Sequence, residues 1–155
     1  MSMTEAETAL RIPALQGFYE RIAWLSWPLI RVVAGGFLMP HGAQKLFGAW
    51  GGNIAATAAG FAKSGLEPAL PLAYLVGSTE LFGGFLIAIG FLTRPAALGA
   101  AILLGVATFL VHVPIGWFWV NRGCEYPLMW FLLQLAILAR GAGPLSVDRA
   151  LGREF

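Results

Sequence analysis

Two long apolar runs of the sequence each carry one charged residue near their middle. Arg31 lies in the run from Ile22 to Met39, and Glu80 lies in the run from Ala69 to Leu92. An ionised group in hydrocarbon is strongly disfavoured unless a partner neutralises it. Counted from Ile22 and Leu92 at about 1.5 Å per residue, both charges lie about 14–18 Å deep. The sequence therefore predicts a structural ion pair between Arg31 and Glu80 on neighbouring membrane helices.

The composition excludes several classes of protein. Of the 155 residues, 58% are hydrophobic and 12% are charged, which is more apolar surface than a soluble domain of this length can bury. The chain is therefore expected to be an integral membrane protein. Its ten Lys and Arg residues are scattered along the sequence, so nucleic acid is not an expected partner. A single cysteine, Cys124, excludes an intrachain disulfide and any metal site built from cysteines alone.

The length of the apolar stretches predicts an all-α, four-helix transmembrane bundle. A spanning helix needs about 17–25 apolar residues, and four stretches qualify: residues 22–43, 69–92, 95–113 and 124–140. Residues 1–21 are read as a cytoplasmic or interfacial segment with a helix from Ala9 to Glu20. Residues 44–68 are expected to lie at the interface or folded over the bundle, with a short helix from Asn53 to Ala62. The predicted parts are thus residues 1–21, the bundle at 22–140, and a cytoplasmic tail at 141–155.

Basic residues flank the predicted spans unevenly. Six lie on the side of the two termini and three on the other side, which predicts that both termini face the cytoplasm. The expected location is a bacterial-type inner membrane, crossed several times. A redox or membrane-protein partner is expected beside the lipid bilayer, and glycine-rich helix faces permit a homo-oligomer.

A second polar layer is predicted near the outer ends of the spans. It consists of His41, Gln44, Lys45, His112 and Glu125, beside an aromatic wall that includes Trp117. Such a mouth suits a quinone, because quinone carbonyls need donors such as His and Lys. On this interpretation His112, His41 and Glu125 are the catalytic candidates, and Lys45, Gln44 and Trp117 bind the cofactor.

Other interpretations of these polar residues stay open. The outer layer is equally consistent with a hydrogen-bond network that caps the bundle. Arg31 and Glu80 are also consistent with proton handling or anion binding, since intramembrane ionisable groups often line functional paths. Two histidines without a ligand-spacing motif do not predict a haem or metal site.

Four motifs resemble one known family. They are Arg31 to Gly48, Glu80 to Ala97, His112 followed by Gly116-Trp-Phe, and Gly143 to Asp148. In order and spacing they resemble the DoxX family, over about residues 22–150. The resemblance implies a four-helix membrane protein. It also implies a connection to quinone, because the family is named after subunits of a thiosulfate-oxidising, quinone-reducing complex.

The sequence thus predicts a quinone-interacting subunit of a membrane redox system, with quinone as its cofactor. If the chain is an enzyme, it is an oxidoreductase subunit. The alternative is a non-catalytic scaffold or accessory subunit of a membrane complex, because no nucleophile triad, P-loop, dinucleotide fingerprint or metal cluster is visible in the sequence. A transporter is a third possibility, although the sequence lacks inverted repeats.

Overall fold

The computed structural model describes residues 10–154, and all regular secondary structure in that range is helical. Two π-helical segments, Thr79–Gly83 and Ala107–His112, interrupt the α-helices. The predicted helix start at Ala9 and the rest of residues 1–9 lie outside the described residues, as does residue 155. The α-helices are α1 (Gln16–Ala23), α2 (Ser26–Gly36), α3 (Leu38–Phe47), α4 (Ile54–Lys63), α5 (Ala69–Ser78), α6 (Gly84–Ile89), α7 (Thr93–Val106), α8 (Glu125–Arg140) and α9 (Val147–Ala150).

Several helices join into longer rods. The rod Ala69–Ile89 combines α5, the first π-helical segment and α6, and the rod Thr93–His112 combines α7 with the second π-helical segment. Both rods are long and apolar enough to cross a membrane. Helices α2 and α3 form the rod Ser26–Phe47, which meets Pro13–Ala23 at a bend of 47° and gives a third candidate span if the bent pair crosses as one.

The fourth predicted span is shorter than the others. Helix α8 has 16 residues, about 24 Å at 1.5 Å per residue, whereas the hydrocarbon core of a bilayer is about 30 Å thick. The protein is therefore an all-helical membrane protein with two or three candidate spans. The four-span bundle and the cytoplasmic placement of both termini stay predictions.

Close contacts between glycines bring the rods together. A methyl group on Gly35 of α2 would overlap the backbone of Gly84 and Ala88, whereas the neighbouring Gly36 has open space around its Cα. Helix α3 approaches the rod Ala69–Ile89 in the same way through Gly42. Helix α7 packs between this rod and α8. Small residues on one face of each helix thus allow the backbones to approach closely.

The predicted segments between the spans form as helices and a tight turn. Asn53 caps α4, since its Oδ1 accepts hydrogen bonds from the backbone N–H groups of Ala55 and Ala56 at 2.7 and 3.3 Å. Helix α4 then packs against α5. Between the rods Ala69–Ile89 and Thr93–His112 the chain reverses within three residues. Gly90 and Leu92 adopt left-handed conformations there, with φ of +72° and +48°. This turn joins the two rods as a tight helical hairpin.

Candidate functional site

An ion pair between Lys45 and Glu80 lies at the centre of the rod Ala69–Ile89. The Lys45 ammonium is 2.7 and 2.9 Å from the two carboxylate oxygens of Glu80. Helix α3 carries Lys45 in its last turn, and the first π-helical segment carries Glu80. The two helices can lie close enough for this contact because residue 42 is a glycine. Any larger side chain at Gly42 would overlap the backbone of Gly77 and Leu81.

The pair is buried at mid-depth without being closed off. Glu80 is 11 residues from Ala69 and nine from Ile89, so it lies about 14–17 Å from either end of the rod. The Lys45 side chain is 19% exposed and that of Glu80 is 10% exposed. Ionisable residues at this depth are rare in membrane proteins, and they mark functional sites more often than not.

This ion pair lines an elongated cleft of about 820 Å³. Its walls come from α3, both long rods, α8 and the loop before α8, and most of them are apolar. The polar or aromatic side chains in its lining are those of Phe37, His41, Lys45, Phe61, Thr79, Glu80, His112, Trp119, Arg122, Tyr126 and Trp130. A cleft of this volume is in the range of small-molecule sites, about 300–1,000 Å³.

The cleft has two polar ends that are far apart. A methyl group on Gly99 would lie 3.6 Å from Cγ2 of Thr79, so Glu80 is level with the middle of α7. His112 is 13 residues beyond Gly99 on the same rod, roughly 20 Å further along its axis. We call the region of His41, Lys45 and Glu80 the deep end. The region of His112, Trp119, Arg122 and Tyr126 is the loop end.

Each end has one titratable residue on a π-helical segment. Glu80 lies in Thr79–Gly83 and His112 lies in Ala107–His112. Isolated π-helical turns inside α-helices are frequently found at functional sites. At the loop end, Nδ1 of His112 is 2.6 Å from the carbonyl oxygen of Arg122. Since a carbonyl can only accept, Nδ1 carries the proton, and in the neutral ring Nε2 is left as an acceptor.

The predicted polar mouth is therefore only partly brought together. His41, Lys45 and His112 line the cleft, but His112 is at the other end from the first two. Glu125 and Trp117 line a separate, smaller groove on α8, where Glu125 accepts a hydrogen bond from the backbone N–H of Trp119 at 3.1 Å. Gln44 packs against Gly52 and is absent from the lining of both. The expectation that all these side chains share one level was wrong.

The predicted ion pair between Arg31 and Glu80 was also wrong. Arg31 donates to the backbone carbonyls of Ala142 and Leu145, at 2.5 Å each, and only 1% of its surface is exposed. The error came from overestimating how deep Arg31 lies in the membrane. The apolar run starts at Ile22, but α2 starts at Ser26, so Arg31 is only about 8 Å from its helix end while Glu80 lies at mid-rod.

The partners of Arg31 belong to residues 141–148, which we call the docked segment. Trp27 donates from Nε1 to the carbonyl of Gly141 at 3.0 Å. The carboxylate of Asp148 accepts from the backbone N–H groups of Leu92 and Thr93 at 2.9 and 3.0 Å, and from the Thr93 hydroxyl at 2.8 Å. These bonds fix the segment across the hairpin and the start of α2.

Sequence reasoning missed both the docked segment and the role of Lys45. Ser146 accepts a hydrogen bond from the backbone N–H of Arg149 at 3.2 Å and so begins α9, which is an N-cap signal readable in the sequence. The partner of Glu80 left a weaker signal. Lys45 is on the first rod, as Arg31 is, and either cation could have been paired with the carboxylate.

Comparison with known proteins places the chain in one family. A curated relative, an uncharacterized protein of Haemophilus influenzae, is 34% identical over 77 residues, which are 50% of this chain and 51% of the relative. The chain therefore spans about half the length of the curated relative that it matches. No solved structure matches the chain. The DoxX family model matches residues 26–113, a range that contains Arg31, Lys45, Glu80 and His112, and the chain belongs to the DoxX family.

Proposed function

We propose that the protein is a quinone-binding subunit of a membrane redox system. The observation that carries this proposal is the cleft of about 820 Å³, which joins long apolar walls to an ion pair at mid-depth. A quinone has the same division, with a polar ring and an isoprenoid tail. The ring is assigned to the deep end, beside Lys45 and Glu80, and the tail to the apolar walls toward the loop end.

The dimensions of the cleft support this assignment. The two ends are roughly 20 Å apart along the rod Thr93–His112, which is long enough for a ring and several isoprene units. The side chains between them include Leu75, Val76, Leu103 and Val106, and these offer no hydrogen-bonding groups to a tail. A wholly polar metabolite would leave this apolar surface uncovered.

In this proposal the electrons for the quinone come from outside the described residues. Within residues 10–154, no group of three His, Cys, Asp or Glu side chains is placed to hold a metal ion. His41 and His112 line the cleft at its opposite ends. The electron donor in this proposal is a partner subunit or a soluble reductant. The protein itself is assigned to a bacterial-type inner membrane.

A thermal-shift measurement on the purified protein tests the proposal. A ligand that binds only the folded state raises the melting temperature as its concentration exceeds Kd. We expect stabilisation by short-chain ubiquinone or menaquinone analogues. No stabilisation by either at saturating concentration contradicts the proposal.

Two matched variants connect the shift to the cleft. Ala107 lies in the cleft lining, and Ala136 is an exposed residue of α8 outside it. Ala107→Trp places an indole where the tail is assigned, so the stabilisation by quinone should be lost. Ala136→Trp makes the same change on the outer surface and should keep it. Equal stabilisation of both variants would place the ligand elsewhere.

A scaffold role remains the second candidate because of the groove on α8. Leu128, Met129, Leu132 and Leu133 line it together with Trp117 and Glu125, and such an apolar surface suits another membrane helix. In that case the Ala107→Trp variant would keep its cellular function, and substitutions along this groove would remove it.

A further inference from the structure

The hydrogen-bonding groups of the deep end are unequally available to a ligand. Lys45 has three ammonium protons, of which two are directed at the oxygens of Glu80 at 2.7 and 2.9 Å. The third faces the carbonyl oxygen of His41 at 3.4 Å. An ammonium has no acceptor, so Lys45 has little left to offer to a ligand oxygen.

Glu80, by contrast, keeps free acceptor sites. A carboxylate has about four lone-pair sites, and Lys45 uses one on each oxygen. Among residues 10–154, Lys45 is the residue that donates to this carboxylate within hydrogen-bond distance. His41 and Thr79 stand nearby, but an imidazole and a hydroxyl can each donate or accept, so neither discriminates between ligands. The carboxylate is the discriminating group, and it needs donors.

We propose that the deep end selects hydroxyl-bearing ligands and binds the reduced hydroquinone in preference to the quinone. This inference rests on the proposed function and states which redox form the site favours. A hydroquinone presents O–H donors to the free sites of Glu80. The quinone presents carbonyl oxygens, which can only accept. To receive a hydrogen bond from Lys45, it would have to replace Glu80 or the carbonyl of His41 as the acceptor.

The preference has a consequence for the redox couple. Reduction adds two electrons and two protons to the quinone, and both protons end as O–H groups on the ring. When a site binds the reduced form more tightly, it raises the midpoint potential of the bound couple. A tenfold preference corresponds to about 30 mV for a two-electron couple. The bound quinone is then a better electron acceptor than the free one.

Three probes of the same ring test this inference on the unaltered protein. They are a short-chain ubiquinone, the corresponding ubiquinol under anaerobic conditions, and the 1,4-dimethyl ether of that ubiquinol, all measured in nanodiscs. The ether keeps both ring oxygens and cannot donate. Since hydrogen bonds to charged groups are among the stronger ones, we expect the ubiquinol to bind at least about tenfold more tightly than either of the others.

A matched pair of variants then assigns the preference to one residue. Glu80→Gln keeps the shape of the side chain but removes the carboxylate, so the ratio of ubiquinol to ubiquinone affinity should approach one. Glu125→Gln is the same substitution in the separate groove on α8 and should leave the ratio unchanged. A ratio that stays high in Glu80→Gln overturns the assignment.

The outcomes separate this inference from the proposed function. If ubiquinone binds as tightly as ubiquinol, or if the dimethyl ether binds as tightly, selection through O–H donors is wrong while quinone binding stands. If none of the three probes binds, the proposed function itself fails. The three-probe comparison needs no variant, so a loss of folding in Glu80→Gln does not prevent a decision.

Discussion

Among residues 10–154, the buried Arg31 and the half-buried Lys45 differ in what surrounds the charge. Arg31 is enclosed by the docked segment, where backbone carbonyls of Ala142 and Leu145 accept its hydrogen bonds. Lys45 is neutralised by Glu80 on the wall of the cleft, and part of both side chains remains accessible. The site of Arg31 joins distant parts of the chain, whereas at the site of Lys45 the carboxylate of Glu80 keeps free acceptor sites. We therefore assign stability to the first and ligand binding to the second.

The largest expected effect comes from removing the charge of Arg31. Arg31→Met leaves two buried carbonyls without their donor and releases the docked segment from α2. We expect the free energy of unfolding to fall by about 2–5 kcal/mol, because each buried acceptor left without a donor costs about 1–3 kcal/mol. Unfolding of the purified protein by SDS titration measures this loss.

The control for this variant is Arg149→Met, because Arg149 is an exposed arginine of α9. Its substitution should change the free energy of unfolding by less than about 0.5 kcal/mol. The folded fraction of Arg31→Met should bind quinone with the affinity of the unaltered protein. If its binding is lost while its stability is normal, the division between the two sites is incorrect.

The second prediction concerns the packing that holds Lys45 against Glu80. Gly42→Ala forces α3 away from the rod Ala69–Ile89, because the added methyl group would overlap backbone atoms of Leu81 and Gly77. We expect a loss of about 1–3 kcal/mol in the free energy of unfolding and weaker quinone binding. Gly36→Ala is the control, since nothing lies within 4 Å of its added methyl group, and it should lower neither quantity. Equal behaviour of the two variants would contradict the close approach of α3.

Much of the helical arrangement could be predicted from the sequence. The apolar stretches at 69–92 and 95–113 correspond to the rods Ala69–Ile89 and Thr93–His112 to within three residues at each end. Helix α4 was predicted within one residue, because Asn53 provides a local capping signal. These features depend on composition and on short-range contacts, which are present in any stretch of sequence.

The candidate site could be predicted only in part. The break between α1 and α2 consists of two apolar residues, Trp24 and Leu25, so the apolar run gave no sign that α2 begins at Ser26. The depth of Arg31 was therefore overestimated, and its true acceptors are backbone carbonyls, which a sequence does not distinguish. Lys45 and Glu80 were both singled out, but their pairing depends on how α3 packs, which is a long-range property.

The third prediction is smaller and concerns the docked segment. Trp27→Phe removes the buried hydrogen bond from Nε1 to the carbonyl of Gly141 and keeps an aromatic ring. We expect a loss of about 1 kcal/mol in the free energy of unfolding, with unchanged quinone binding. Trp24→Phe makes the same change at a tryptophan that is 51% exposed and should be neutral. A neutral Trp27→Phe would show that this bond does not hold the docked segment.

The smallest expected change in stability is that of the double variant Lys45→Met with Glu80→Gln. Replacing both members of a buried ion pair by neutral groups of similar size is often close to neutral, because the cost of desolvating the charges disappears with their attraction. We expect the free energy of unfolding to change by less than about 1 kcal/mol. The affinity for ubiquinol should nevertheless fall at least about tenfold, since the free sites on the carboxylate are lost. A stability loss as large as that of Arg31→Met, with binding retained, would assign the ion pair to the structure rather than to the ligand.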